Sequence, residues 1–155
     1  MPAEHRAGVE ALRGQPAPAA HAALGQALGP MLAGLDDDGR LGMVGATDAD
    51  ADVLAGAGVR ARLAAMMDRA LAQGATGVVA DIAGYMLRPW GFDPADVRVP
   101  VLLGYGAQDA GVGPAHGEWW ARQLPDAALE VVPGVGHLVV VPLWGRVLEH
   151  LVPRG

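Results

Sequence analysis

The sequence predicts an α/β chain in two parts, a mostly helical region over residues 1–88 and a segment of parallel sheet over residues 89–155. Two observations predict this division. In the first part, alanine-rich stretches carry apolar residues at helical spacing. In the second part, short apolar runs bounded by glycine or proline alternate with helical stretches. That order is typical of a parallel sheet, because a crossover helix joins neighbouring parallel strands.

Composition bounds the class of protein. With 155 residues and 52% apolar residues, the chain is long enough for one ordinary domain with a sizeable core. The net charge is -6 and the arginines are scattered, so we expect no nucleic-acid partner. No cysteine is present, which excludes disulfides and thiolate metal sites. The N-terminal stretch has neither a basic start nor a long apolar run, so we expect a cytoplasmic chain without a membrane partner.

The first part contains two helices that the apolar pattern predicts directly. One runs from Ala19 to Leu35, in a stretch dominated by alanine and leucine. The second has an apolar stripe formed by Val59, Leu63, Met66, Met67, Ala70 and Leu71. The segment between them is predicted as loop at Gly39, Gly42 and Gly45. Within it, Thr47 and Asp50 have the spacing of a capping box that starts a short helix.

The second part reads as strand, helix, strand, helix. The run "RVPVLLGYG" at 98–106 is short, apolar and bounded by proline and glycine, as expected for a buried strand. The stretch "GPAHGEWWARQLP" predicts a helix that ends at Pro125, and "ALEVVPG" predicts the second strand. The last helix is "PLWGRVLEHL", with Pro142 at an early position where proline is tolerated.

The stretch from Pro89 to Leu151 resembles the C-terminal part of α/β-hydrolase-fold enzymes. Two motifs carry the resemblance, "VPVLLGYGAQD" and "VVPGVGH", in this order and with one helix and one strand between them. The resemblance implies that Asp109 is the acid and His137 the base of a catalytic triad. It also implies hydrolysis of a small apolar ester-like substrate without a cofactor, and a helical cap over residues 1–88.

Physical chemistry supports that pairing. In open α/β sheets, reacting groups gather beyond the carboxyl ends of the strands, and Asp109 and His137 each follow one predicted strand. We therefore expect both side chains to face one crevice. The carboxylate would fix the imidazole tautomer, and the second ring nitrogen would take a proton from a nucleophile.

The nucleophile of such a triad is missing from the sequence, because the chain has no serine. Thr47 in "MVGATDADA" superficially echoes the nucleophile turn, but the three aspartates that follow would place negative charge where an oxyanion needs donors. A helix-cap role is favoured for Thr47. Asp36 has no strand before it and is rejected as a nucleophile. We expect an inactive, truncated hydrolase; the alternative is a non-catalytic remnant or interaction module.

Other candidate sites are weaker. Trp90 and Phe92 are candidate substrate-binding residues near the cap junction, although hinge packing explains them equally well. His116 begins a predicted helix and has no closely spaced ligand partner, so no metal site is expected there. The motif "GYGAQD" lacks the third glycine of a dinucleotide fingerprint, so no nicotinamide cofactor is expected.

Two further features of the sequence are an aspartate run that resembles a calcium loop and a sheet edge that lacks a partner. Asp48, Asp50 and Asp52 copy the first positions of a calcium loop, but Val53 and Val59 stand where glycine and glutamate are required, so no calcium is expected. A short sheet without its neighbouring strands presents an unpaired edge. We therefore expect a marginally stable chain that self-associates through this edge.

Overall fold

The computed structural model describes residues 3–152, except for the side chains of residues 3–6. The chain divides into two compact units. We call them the helical unit (Met1–Asp36 and Ala65–Gly91) and the sheet unit (Asp37–Ala64 and Phe92–Gly155). Residues 37–64 thus group with the strands by contact, and the assignment of residues 1–88 to a cap stays a prediction.

Within the described residues, eight α-helices and two strands follow one another along the chain. In order, they are α1 (Ala3–Arg13), α2 (Ala17–Ala33), α3 (Asp37–Met43), α4 (Ala51–Ala55), α5 (Val59–Ala70), α6 (Thr76–Leu87), β1 (Val101–Gly106), α7 (Pro114–Gln123), β2 (Ala127–Val132) and α8 (Val140–Leu151). Short 3-10 turns occupy Asp48–Asp50, Pro94–Asp96 and His137–Val139. The predicted helices over 19–35 and 59–71 are confirmed as α2 and α5.

The helical unit is held together by α6, which packs against both α1 and α2. The guanidinium group of Arg13 on α1 donates two hydrogen bonds to the carbonyl oxygen of Met86 on α6, at 3.0 and 2.8 Å. Burial of apolar side chains supplies the rest of the stabilisation between these helices. The buried side chains of this unit are Ala20, Leu32, Met67, Val79 and Ala83.

The sheet unit is built on β1 and β2, which pair in parallel along their full length. Helix α7 connects them and covers one face, where a Cβ on Gly117 would lie 2.6 Å from both Leu129 Cδ1 and Tyr105 Cδ2. Helix α8 covers the opposite face of β1, and Leu143 packs directly on Gly104. Glycines at these two points let the helices approach the strands closely.

The prediction of loop at Gly39 and Gly42 is wrong, because both residues lie in α3. Asp37 and Asp38 in the first turn of α3 interact favourably with the helix dipole, and Leu41 is buried. These terms outweigh the low helix propensity of glycine. Gly45 does lie in a turn, with a φ of +78°.

The predicted order of a helical region followed by a parallel sheet is confirmed in this coarse form. Among the described residues the sheet has two strands, so the structure is mostly helical and does not contain a full α/β-hydrolase portion. Across residues 3–152, no helix combines the length and the apolar character needed to cross a membrane.

Candidate active site

Asp109 lies in the turn that follows β1, three residues after the strand ends. Its Oδ1 atom accepts hydrogen bonds from the backbone N–H groups of Gly111 and Val112, both at 2.9 Å. The side chain is only 9% exposed. Two backbone donors therefore fix the orientation of this carboxylate and leave its Oδ2 atom available to a second partner.

His137 follows β2 and begins a 3-10 turn. Its neighbours in the loop, Val135 and Leu138, are buried, whereas the imidazole is 42% exposed. The backbone N–H of Gln108 donates to the carbonyl oxygen of Val135 at 3.0 Å, which ties the turn after β1 to the loop after β2. The buried side chains of Val135 and Leu138 thus hold the backbone of the loop, while the His137 ring remains accessible to solvent.

The structure brings Asp109 and His137 together, as the sequence predicted from the order of strands. The imidazole Nδ1 donates to Asp109 Oδ2 at 2.7 Å, the short distance typical of a charge-assisted hydrogen bond. With the proton on Nδ1, the Nε2 atom carries the free lone pair. This arrangement can accept a proton at Nε2 and stabilise the resulting imidazolium.

Electrostatics keep Asp109 ionised. Burial alone raises the pKa of a carboxyl group. Hydrogen bonds to Asp109 lower its pKa, and they come from Val112 N–H, the His137 ring and Gly111 N–H. Together with attraction by a charged His137, they outweigh the effect of burial. The pKa of Asp109 is therefore below its ordinary value. An ionised Asp109 is the form that can fix the tautomer of His137.

Gly45, in the turn between α3 and the Asp48–Asp50 turn, lies against the His137 ring. A Cβ at position 45 would lie 2.5 Å from Cγ and 2.6 Å from Cδ2 of that ring. The left-handed φ of Gly45 also favours glycine. The backbone of residue 45 therefore limits how far the imidazole can move in one direction.

The predicted capping box at Thr47 and Asp50 is confirmed, and it has a further contact that the sequence did not predict. Asp50 is fully buried, with 0% exposure. Its Oδ2 atom accepts from Thr47 N at 3.1 Å and from Thr47 Oγ1 at 3.5 Å. Its Oδ1 atom accepts from the backbone N–H groups of Gly136 and Leu138, at 2.9 and 3.1 Å. Asp50 thus connects its turn to both neighbours of His137.

Neither alternative nucleophile has the local structure of a nucleophile turn. Thr47 is the N-cap of a 3-10 turn, and helix α3 precedes it rather than a strand. Asp36 likewise follows a helix, α2. The strand, turn, helix order that such a turn requires is therefore missing at both positions.

The remaining predicted residues are exposed. Trp90 is 49% exposed and its indole N–H donates to the carbonyl oxygen of Tyr85 at 3.3 Å, within the helical unit. Phe92 is 57% exposed and belongs to the sheet unit. His116 is exposed in the first turn of α7. A substrate-binding role for Trp90 and Phe92 stays a prediction.

In the described part of the chain, no group of three or more histidine, aspartate or glutamate side chains is arranged to hold a metal ion. The three aspartates of "DADAD" diverge: Asp50 is buried against the His137 loop, while Asp48 and Asp52 are exposed.

Comparison of the chain with protein-family models, with curated proteins and with solved structures gives no match. The relationship to α/β-hydrolases therefore stays a prediction from the sequence.

Proposed function

We propose that the chain carries the acid and base of an α/β-hydrolase-type site, with Asp109 as the acid and His137 as the base, and that the nucleophile is supplied from outside these 155 residues. The observation that carries the proposal is the 2.7 Å hydrogen bond from His137 Nδ1 to an Asp109 carboxylate that two backbone N–H groups orient. Its substrate is a small apolar ester, the acyl compound that this chemistry attacks. No cofactor is involved.

The chemistry of the pair is acid–base catalysis. An alcohol or thiol attacks the ester carbonyl carbon while Nε2 of His137 takes its proton, which gives a tetrahedral oxyanion and an imidazolium. The oxyanion then collapses, the bond to the leaving oxygen breaks, and Nε2–H returns the proton to that oxygen. Asp109 stays ionised throughout and stabilises the imidazolium.

The test supplies the nucleophile from solution. The purified chain is incubated with p-nitrophenyl butyrate and 2,2,2-trifluoroethanol, and trifluoroethyl butyrate is measured, since only attack by the alcohol forms this ester. The wild type should form it about 10- to 100-fold faster than His137→Ala, at or below the lower end of what a positioned general base contributes. His116→Ala, which removes an exposed histidine from α7, is the matched control and should keep the wild-type rate.

Two outcomes would overturn this proposal. Equal rates in the wild type and His137→Ala would show that the pair is not a base. Hydrolysis of p-nitrophenyl acetate or butyrate without the alcohol, lost in both His137→Ala and Thr47→Ala, would make Thr47 an internal nucleophile. Without the added alcohol, we expect any hydrolysis to be unaffected by Thr47→Ala, because water rather than Thr47 would then be the nucleophile.

A second candidate function is a non-catalytic interaction module that self-associates, and two observations favour it. Four apolar side chains of α8 lie on one side of the helix and are 45–68% exposed: Val140, Trp144, Leu148 and Leu151. Within the described residues, β1 and β2 also each have an outer edge without a paired strand. A second copy of the chain is the partner we propose for these surfaces. We propose that the partner of these surfaces is neither a nucleic acid nor a membrane, and that the chain is located in the cytoplasm.

A further inference from the structure

The strongest unexplained feature of the sheet unit is the burial of Asp50. Among the described residues it is the one buried polar or charged side chain, at 0% exposure. Burying a carboxylate is unfavourable unless strong hydrogen bonds replace water. Its four donor contacts come from backbone N–H groups and a threonine hydroxyl. The partners of Asp50 indicate which part of the molecule its carboxylate holds in place.

The partners of Asp50 Oδ1 are the two residues that flank His137 in sequence. The N–H of Gly136 and the N–H of Leu138 converge on the same oxygen, at 2.9 and 3.1 Å. A fixed acceptor that holds the residues before and after His137 restricts the backbone from which the imidazole projects. The ring itself is exposed, so its orientation depends on this backbone and on Asp109.

Gly136 shows that the loop and the carboxylate fit closely. A Cβ at position 136 would lie 2.5 Å from Asp50 Oδ2 and 3.1 Å from Oδ1. Only glycine lets the loop backbone come near enough to donate to the carboxylate. The second glycine of the "GVGH" motif is therefore explained by Asp50, a residue 86 positions earlier in the chain.

We infer that Asp50 is a positioning residue for the base, His137. Its buried carboxylate holds the backbone on both sides of His137 and so keeps the imidazole Nδ1 in its hydrogen bond with Asp109. The inference rests on the proposed function for its catalytic meaning, but the geometry it claims can be tested without activity. An aspartate is required because backbone N–H groups point at both of its oxygens, so both oxygens have to accept. An asparagine amide would place a donor against either the loop N–H groups or Thr47.

The test compares Asp50→Asn with Asp48→Asn and Asp52→Asn, which remove the same charge from exposed positions in the same segment. Hydrogen exchange of the Gly136 and Leu138 amides should be about 10-fold or more faster in Asp50→Asn, the equivalent of one hydrogen bond to a charged group. The 15N shifts of the His137 ring should move from the pattern of a single Nδ1–H tautomer toward a mixture. Both controls should match the wild type.

A second measurement uses the wild type, so that the inference stays testable if Asp50→Asn does not fold. Scalar couplings across hydrogen bonds should connect the Asp50 carboxylate carbon with the amide nitrogens of Gly136 and Leu138. Absence of both couplings would overturn the inference. So would wild-type exchange and ring shifts in a folded Asp50→Asn.

The transesterification assay separates this inference from the proposed function. If the wild type is active, Asp50→Asn should lower kcat about 10-fold or more with little change in KM, because a displaced base affects the reaction rather than binding. An active Asp50→Asn with wild-type kcat would overturn the positioning role. Faster exchange at Gly136 and Leu138 in a chain whose wild type is inactive would uphold the positioning of His137 and overturn only the proposed function.

Discussion

Replacing Gly45 with alanine tests how closely the residues around His137 are packed. The new Cβ would lie 2.5–2.6 Å from His137 ring atoms, whereas carbon atoms in ordinary contact are about 3.5–4.0 Å apart. The ring must therefore retreat by about 1 Å. Asp109 cannot follow it, because Gly111 and Val112 hold its carboxylate. A ring displaced by this amount no longer keeps both the 2.7 Å distance from Nδ1 to Oδ2 and the present angle, so the hydrogen bond to Asp109 is distorted.

Gly134→Ala is the matched control. Gly45 and Gly134 both have a left-handed φ, +78° and +73°, so alanine at either position costs about 1 kcal/mol of backbone strain. A Cβ at Gly134 has no atom within 4 Å, although this glycine lies only three residues before His137. The two variants therefore share the backbone penalty and differ in the collision with the ring.

Two measurements check this prediction. Urea denaturation should show a loss of about 1 kcal/mol from the backbone in both variants, and a larger loss in Gly45→Ala, where the collision with the ring adds to it. The 15N shifts of the His137 ring should change only in Gly45→Ala, and the transesterification rate should fall in Gly45→Ala but not in Gly134→Ala. Unchanged ring shifts in Gly45→Ala, or equal changes in both variants, would refute the reasoning.

Three further predictions concern stability and association. Asp109, with its lowered pKa, contributes stability that is complete above its unfolded-state pKa of about 3.9 and is lost as the pH falls through its folded-state pKa. The unfolding free energy should therefore fall less steeply below about pH 4 in Asp109→Asn than in the wild type; equal slopes would contradict this. Gly117→Ala should destabilise the chain by about 1–2 kcal/mol, because the new Cβ would collide with Tyr105 and Leu129. Gly145→Ala on α8 should stabilise the chain by up to about 1 kcal/mol, because the new Cβ has no atom within 4 Å and alanine favours the helix. Thermal unfolding followed by circular dichroism checks the pair, and shifts of the same sign would contradict the packing of α7. Trp144→Gln should raise the dissociation constant of a self-associated form about 10-fold in sedimentation experiments, and a monomeric wild type would contradict self-association.

The pairing of Asp109 with His137 could be predicted from sequence because each residue lies in the loop that follows a short strand. Parallel pairing places the ends of β1 and β2 at the same edge, so Asp109 and His137 meet once the strands are correctly located. The strands themselves were predictable because proline and glycine bound both apolar runs. Local sequence was sufficient wherever the contact followed from the order of neighbouring elements.

The role of Asp50 could not be predicted in the same way. Its sequence neighbours indicate a capping box, which is present, and a capping box leaves one carboxylate oxygen free for a contact that local sequence does not specify. The bonds to Gly136 and Leu138 depend on tertiary packing between distant segments. Helix α3 was missed for a related reason, since the buried Leu41 outweighs the glycines beside it.

The long reach of Asp50 has a consequence for how the chain folds. Pairing of β1 and β2 joins residues 26 positions apart, whereas the bond from Gly136 to Asp50 closes a loop of 86. Loop closure of that length costs about 1 kcal/mol more in chain entropy. We therefore expect the strands to pair first and the His137 loop to be fixed last, so that pulsed hydrogen exchange protects β2 before Gly136 and Leu138. The loop that orients the His137 ring is then ordered only after the two strands beside it have paired.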